Sequence, residues 1–148
     1  MQKFLIVHYS IKNQDRWGRT FPIAKALAKQ KFEVTLLTTA NKKDKCILYK
    51  REITDGVIIV SFNDLFPKVL LGKGVGLLAF ISRILYSLTH RFDFVYSDCG
   101  ETPNSGIPCK LNQWIYGAKY VSEWGDSLGR GGYFDMKPAW FKFIFGRY

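Results

Sequence analysis

"AKALAKQKFEVTLLTT", residues 24–39, decides the fold. Ala24, Leu27 and Ala28 recur at the spacing of one helix face, and the pattern then changes to a continuous apolar run from Val34 to Thr38. The first pattern reads as a helix from Arg19 to Gln30, the second as a strand buried on both faces. Upstream, "KFLIVHYS" (residues 3–10) contains a similar strand, Phe4 to His8. Together they make one βαβ unit, in which the two strands lie parallel.

The same alternation continues downstream. After the basic, polar segment "NKKDKCILYKRE" (41–52), Asp55-Gly56 marks a turn into a third strand, Val57 to Val60. Pro67 and the run Gly72-Lys73-Gly74-Val75-Gly76 loosen the chain before a helix from Leu77 to Leu88 and a fourth strand from Phe92 to Ser97. Asn104 or Ser105 caps a helix that runs to Gly117, a C′ glycine, and Tyr120 to Trp124 is a fifth strand. Asp135 and Pro138 open a last helix. The fold class expected is α/β, a Rossmann-like parallel sheet with helices on both faces. In such sheets ligands sit outside the carboxyl ends of the strands. The unusual clusters of this sequence, His8 to Arg19, Ser97 to Glu101 and Glu123 to Gly132, all fall at such ends.

A chain of 148 residues, 47% of them hydrophobic, holds one domain with a real core. Its formal net charge of +10 calls for an anionic partner: phosphate-bearing ligands, a membrane surface or nucleic acid. The basic residues are scattered and form no nucleic-acid module, so nucleic acid is not the expected partner. Cys46, Cys99 and Cys109 are widely spaced and lack a Cys-x-x-Cys pair, which fits a reducing cytosol and neither a disulfide framework nor a zinc site. No base or oxyanion signature accompanies Cys99, so it reads as a buried thiol rather than a nucleophile. The lipophilic stretch from Val69 to Leu88 is interrupted by Lys73 and Arg83, which argues against a spanning helix.

The familiar cofactor loops are missing. A dinucleotide site needs Gly-x-Gly-x-x-Gly directly after the first strand, and "YSIKNQDRWGRT" (9–20) supplies one glycine. There is no Gly-Lys-Ser/Thr for a P-loop, and the glycines at 72–76 read as a connection. No cofactor and no metal are expected.

With these elements in order, the chain resembles the N-terminal half of a GT-B glycosyltransferase, in particular the family 4 type. The resemblance is carried by "KFLIVHYS", "GRTFPIAKALAKQKFEVTLLTT", "DGVIIVSF", "FDFVYSD", "PNSGIPCKLNQWIYGAKYVSEWGD" and "FIFGRY", and most clearly by residues 24–39, where family members typically show LAKxLxxxGHEVTVLT. Two departures stand out. Trp17-Gly18-Arg19 replaces the usual glycine pair of the first loop, and Asp98-Cys99 and Glu123-Trp124-Gly125-Asp126 stand where many members carry a histidine.

The resemblance implies that residues 1–148 are an incomplete N-terminal domain and that the C-terminal nucleotide-sugar-binding domain is absent. It implies sugar transfer, with retention, from a nucleotide-sugar donor to a glycan or lipid-linked acceptor in cell-surface polysaccharide or glycolipid synthesis. This half alone would be inactive. The alternative is a non-catalytic, membrane-docking partner subunit of a split glycosyltransferase. Location would be cytoplasmic, peripheral on the inner face of the cytoplasmic membrane.

The same resemblance implies roles for particular residues. Gly18 and Arg19, at the start of the first helix, suit the donor diphosphate; Arg19 alternatively is a solvated first-turn residue. Glu123 and Asp126 would orient an acceptor hydroxyl or serve as base, or else Asp126 caps the glycine-rich turn and Glu123 pairs with a cation. Asp98 and Glu101 would line the acceptor cleft or cap the Asn104 helix, and Arg130 would touch an acceptor phosphate or sit free on the surface. Trp124, Tyr133 and Phe134 would stack on sugar or lipid, or belong to the core. Leu65 to Arg91, with Lys68, Lys73, Arg83 and Arg91, reads either as an interfacial segment on an anionic membrane or as a core helix with two solvent-facing cations.

Overall fold

The structure, a computed structural model, describes residues 1–41, 48–64, 76–100 and 102–123. Its elements are β1 (Lys3–Ile11), α1 (Trp17–Lys29), β2 (Glu33–Thr39), β3 (Tyr49–Thr54), β4 (Val57–Phe62), α2 (Leu77–Thr89), β5 (Phe94–Ser97), α3 (Pro103–Tyr116) and β6 (Lys119–Ser122). They build one six-stranded sheet in the order β3-β4-β2-β1-β5-β6. Every neighbouring pair is parallel except β3 with β4. The α/β class and parallel sheet expected from the sequence are therefore present, with an antiparallel edge strand added.

Side-chain alternation along the strands divides the core in two. Leu5 and Val7 of β1, Leu37 of β2 and Val60 and Phe62 of β4 face Ala79 of α2 and Cys109 of α3. Ile6, Val34, Leu36, Val57 and Ile59 point the other way, against Ala24, Trp17, Phe21 and Leu27 of α1. A strand covered on both faces reads as an unbroken apolar run, as in "LIV" and "VTLL".

The added strand β3 lies in what the sequence showed as a basic segment. It is mostly exposed and sits at the sheet edge, where charged side chains deter pairing with another chain. Its register pairs Thr54 with Val57, leaving a two-residue turn in which Asp55 (φ 52°) and Gly56 (φ 79°) are both left-handed. That is the turn whose twist suits a hairpin, and Asp-Gly is its favoured sequence. Glu52 of this strand pairs with Lys12 and Lys50, and the Lys12 contact holds its carboxyl below the usual range.

Helix α2 corrects one expectation. Arg83 is not a solvent-facing cation: it is the largest fully buried side chain among the described residues. Ala79, Arg83 and Ser87 form the inward stripe of α2, while Leu77, Ile81 and Leu85 are exposed. The helix is tied to α3 by Asn112, whose Nδ2 donates to the carbonyls of Ser87 (2.8 Å) and His90 (2.7 Å). Lys68, Lys73 and the last helix from Asp135 lie outside the described residues.

Gly117 ends α3 in the left-handed conformation (φ 71°), as its place in the sequence suggested. The start of α3 is different. It is Thr102, not Asn104 or Ser105, that occupies the N-cap, with Pro103 in the first turn. Here the chain approaches itself closely: a Cβ on Gly106 would stand 2.3 Å from the Gly100 carbonyl oxygen. Because that obstacle is backbone, Gly106→Ala should lower stability by about 2 kcal/mol or more. Urea unfolding of the variant checks this, and an unchanged midpoint would refute the close approach.

Candidate functional site

Leaving out the antiparallel β3, the strand order β4-β2-β1-β5-β6 runs outward in both directions from β1. The order reverses between β1 and β5, so their carboxyl ends flank the crevice where ligands of such sheets bind. Val7 pairs with Ser97, so the next residues, His8 within β1 and Asp98 just after β5, stand side by side.

Asp98 stands at the centre of a buried polar network. Its carboxylate binds His8 Nδ1 and lies 2.9 Å from the hydroxyl of Thr20 on α1. Its other oxygen accepts the Tyr9 amide (2.9 Å), and its carbonyl accepts from Arg16 Nη1 (2.9 Å). With Nδ1 donating to the carboxylate, Nε2 is the acceptor face of the His8 ring. That nitrogen is buried without a partner among the described residues, and the ring meets Trp17 edge-on at 5.5 Å. One carboxylate thus joins β1, the loop after β5 and the first turns of α1.

The loop between β1 and α1 reverses without a glycine pair. Its left-handed positions are Asn13 (φ 65°) and Asp15 (φ 50°), residue types that tolerate this conformation. Asp15 accepts a hydrogen bond from Ser10, and its charge, after burial, helps to push the Tyr9 phenol up to about 12. No acidic side chain lies in the first turn of α1 and no side chain caps it. Gly18 is exposed there, with open space where a Cβ would be.

On the α1 side of β5 and β6 a second cluster forms. Glu123 pairs with Arg19 through one carboxylate oxygen and accepts from the Tyr96 hydroxyl through the other. Its backbone is held too, by Ser97 O (2.9 Å) and by the Gly100 amide (3.1 Å). Arg19 is 52% exposed and Glu123 24%, so the pair sits at the mouth of the crevice and is worth less than about 1 kcal/mol to stability. Burial is the main cause that raises the Tyr96 phenol, with Asp98 adding to it.

On the opposite face, Arg83 reaches under the ends of β1 and β2. Its guanidinium donates to Thr39 Oγ1 (2.8 Å), the Asn104 carbonyl (3.2 Å) and the Ser10 carbonyl (3.5 Å). Desolvation lowers it to about 10, so it remains charged at neutral pH, at a cost on the order of 3 kcal/mol. Asn104 in turn donates to the Tyr9 carbonyl.

Of the residues singled out in the sequence, Gly18, Arg19, Glu123 and Asp98 gather at one end of the sheet, and Arg19 and Glu123 touch. Asp98 neither caps α3 nor opens onto a surface; its oxygens turn inward. Glu101, Asp126 and Arg130 lie outside the described residues, as do Cys46, Trp124, Tyr133 and Phe134. His8, Arg16, Thr20, Tyr96 and Arg83 complete the site; two of them stood out in the sequence, His8 at the end of an apolar run and Arg83 as a charge within a lipophilic stretch. Among the described residues no group of His, Cys, Asp and Glu could hold a metal ion.

The chain has a Rossmann-like α/β fold, a mostly parallel six-stranded sheet flanked by helices. One solved structure with a similar fold is the sucrose-phosphate synthase of Thermosynechococcus elongatus, a GT-B glycosyltransferase, with a TM-score of 0.58 and 11% sequence identity. The match covers 87% of this chain and 34% of that one, so this chain spans about a third of its neighbour's length. No protein-family model and no curated protein matches the sequence.

Asp98→Asn should cost about 2–4 kcal/mol, because an amide nitrogen would then face the donors that now share the carboxylate. Urea unfolding reads this directly. A loss below roughly 0.5 kcal/mol, the range of ordinary surface changes, would remove Asp98 from the centre of the network.

Proposed function

We propose that the chain is the acceptor-binding, N-terminal half of a glycosyltransferase of the family 4 type. In its complete form the enzyme would move a sugar from a nucleotide-sugar donor to a glycan or lipid-linked acceptor, with retention, in cell-surface polysaccharide or glycolipid synthesis. On this reading a second domain would hold most of the nucleotide sugar, and residues 1–148 without it would be inactive. The observation that carries the reading is the Arg19–Glu123 pair at the carboxyl end of the sheet, beside the uncapped start of α1.

The chemistry builds on that pair. A departing diphosphate gathers negative charge, and on this reading Arg19 and the Gly18 amide would meet it. When the diphosphate recruits Arg19, the Glu123 carboxylate is freed to accept a hydrogen bond from the acceptor hydroxyl. Tyr96 keeps that carboxylate oriented, and Asp98 keeps β1 and α1 in register around it. By role alone, Asp126 is proposed to orient the acceptor hydroxyl or serve as base with Glu123, and Glu101 and Arg130 to contact the acceptor.

Two measurements test this. Sequencing the gene beyond the Tyr148 codon should show an open frame of roughly another 150–250 residues, a domain-sized span with a second Rossmann-like half. In that complete enzyme Glu123→Gln should lower turnover at least tenfold while shifting stability by less than about 1 kcal/mol. Unchanged turnover would refute the role of Glu123.

A second reading, a membrane-docking partner subunit on the inner face of the cytoplasmic membrane, is favoured by one observation. Leu77, Ile81 and Leu85 of α2 face outward, and Trp114 of α3 is 83% exposed. No helix among the described residues is long and apolar enough to cross a membrane, so contact would be peripheral. On this reading the chain cosediments with anionic but not neutral liposomes and copurifies with a separate nucleotide-sugar-binding chain; equal binding to both vesicles would discard its electrostatic part.

A further inference from the structure

An amphipathic helix ordinarily turns its large apolar side chains to the core and its charges to water. Helix α2 does the opposite. Its one charged residue, Arg83, lies inward with Ala79 and Ser87, while Leu77, Ile81 and Leu85 are exposed. The neighbouring α3 covers the same face of the sheet and extends this surface, since Trp114 and Ile115 are exposed as well. Asn112 ties the two helices together, as does the Tyr116 hydroxyl, which donates to the Leu88 carbonyl. Their outer sides form one apolar surface whose five large side chains expose roughly 600 Å², the upper end of what the largest patch on a monomer reaches and a size that is often functional.

We propose that this surface seats a second copy of the chain in a two-fold dimer. The first reason is symmetry. Leu77, Ile81 and Leu85 follow one another at four-residue spacing, so a two-fold axis at Ile81 sets that residue against its own copy and Leu77 against the partner's Leu85. The second is charge. With Arg83 turned inward α2 has no charge to meet a lipid headgroup, and Lys110 is the one charged residue of α3; the surface has the charge-poor centre of a protein interface, not the basic flank of an interfacial helix. The third is area. Two such surfaces bury about 1,200 Å² together, the lower end of the range for specific interfaces, which makes the dimer a weak one. Salt separates this occupant from the lipid of the membrane reading. Each chain has a net charge of +10, so copies repel at a distance and screening strengthens their association, whereas the same screening weakens attraction to an anionic membrane.

The test is sedimentation velocity of the full chain across the micromolar range, at low and at high salt. Wild type should pass from monomer to dimer within that range, at lower concentration as salt rises. Ile81→Glu, which sets a carboxylate against its own copy on the axis, should weaken association roughly tenfold or more. Ile53→Glu, at an exposed isoleucine of the edge strand β3, should stay within about twofold of wild type. Because Ile81 is 43% exposed, the folded monomer should tolerate a charge there, and in dilute solution Ile81→Glu should melt together with Ile53→Glu. If it melts lower, Leu85→Glu, at a more exposed residue of the same stripe, takes its place with the same loss of association expected.

A chain that stays monomeric at every concentration and salt overturns the proposal. A dimer that forms equally well in wild type, Ile81→Glu and Leu85→Glu also overturns it, because the contact would then lie elsewhere, and so does a dimer that weakens as salt rises. A monomer that floats with anionic vesicles, and ceases to do so as Ile81→Glu, overturns it in favour of a lipid surface. None of these outcomes involves turnover, so the effect of Glu123→Gln, and with it the glycosyltransferase reading, is decided separately.

Discussion

One carboxylate organises the working end of this molecule. Asp98 leaves β5 beside His8 of β1 and spends its oxygens on the His8 ring, the Tyr9 amide and the Thr20 hydroxyl. Each partner belongs to a different constraint. His8 fixes the end of the first strand, Tyr9 fixes the backbone entering the loop, and Thr20 fixes the helix leaving it. In the low dielectric of the interior these bonds are strong when all are made and expensive when one is missing. The position of α1 relative to the sheet, and with it the Arg19–Glu123 pair, is therefore set by a group buried away from solvent.

Much of the fold was legible because both cores depend on simple periods. The strands β1, β2, β4 and β5 appear as apolar runs, α1 as a 3.6-residue pattern, and Asp55-Gly56 and Gly117 as residues chosen for left-handed backbone. The edge strand β3 escaped for the opposite reason. "YKREIT" packs almost nothing, so the signal that reveals a strand, burial of one face, is absent from it. Its existence depends on the hairpin turn and on pairing with β4, neither of which leaves a hydrophobic trace.

The site was legible in its location and only partly in its residues. Loops at the carboxyl ends of parallel strands could be named in advance, and Gly18, Arg19, Asp98 and Glu123 do collect there. Partnership could not be read, because His8 and Asp98, or Arg19 and Glu123, are about a hundred residues apart and meet only through strand order. Helix α2 shows how polarity misleads. Its outward stripe is Leu77, Ile81 and Leu85 and its inward stripe Ala79, Arg83 and Ser87, the reverse of the usual arrangement, so a lone arginine in an apolar helix was assigned to water. The asymmetry is explained once Arg83 has carbonyl oxygens to reach.

Cys109 turns the packing of α3 into something that can be timed. Its thiol lies buried against the sheet, and desolvation, with Asp98 adding to it, pushes its pKa well above that of a free cysteine. Thiols react as thiolates, so in the closed structure this sulfur is both shielded and in its inert form. A thiol-directed reagent can capture it only in the moments when α3 lifts away from β1 and β5. The rate of labelling at Cys109 is thus a clock for that excursion, and it reports how firmly the helix bearing Asn104 is pressed onto the crevice.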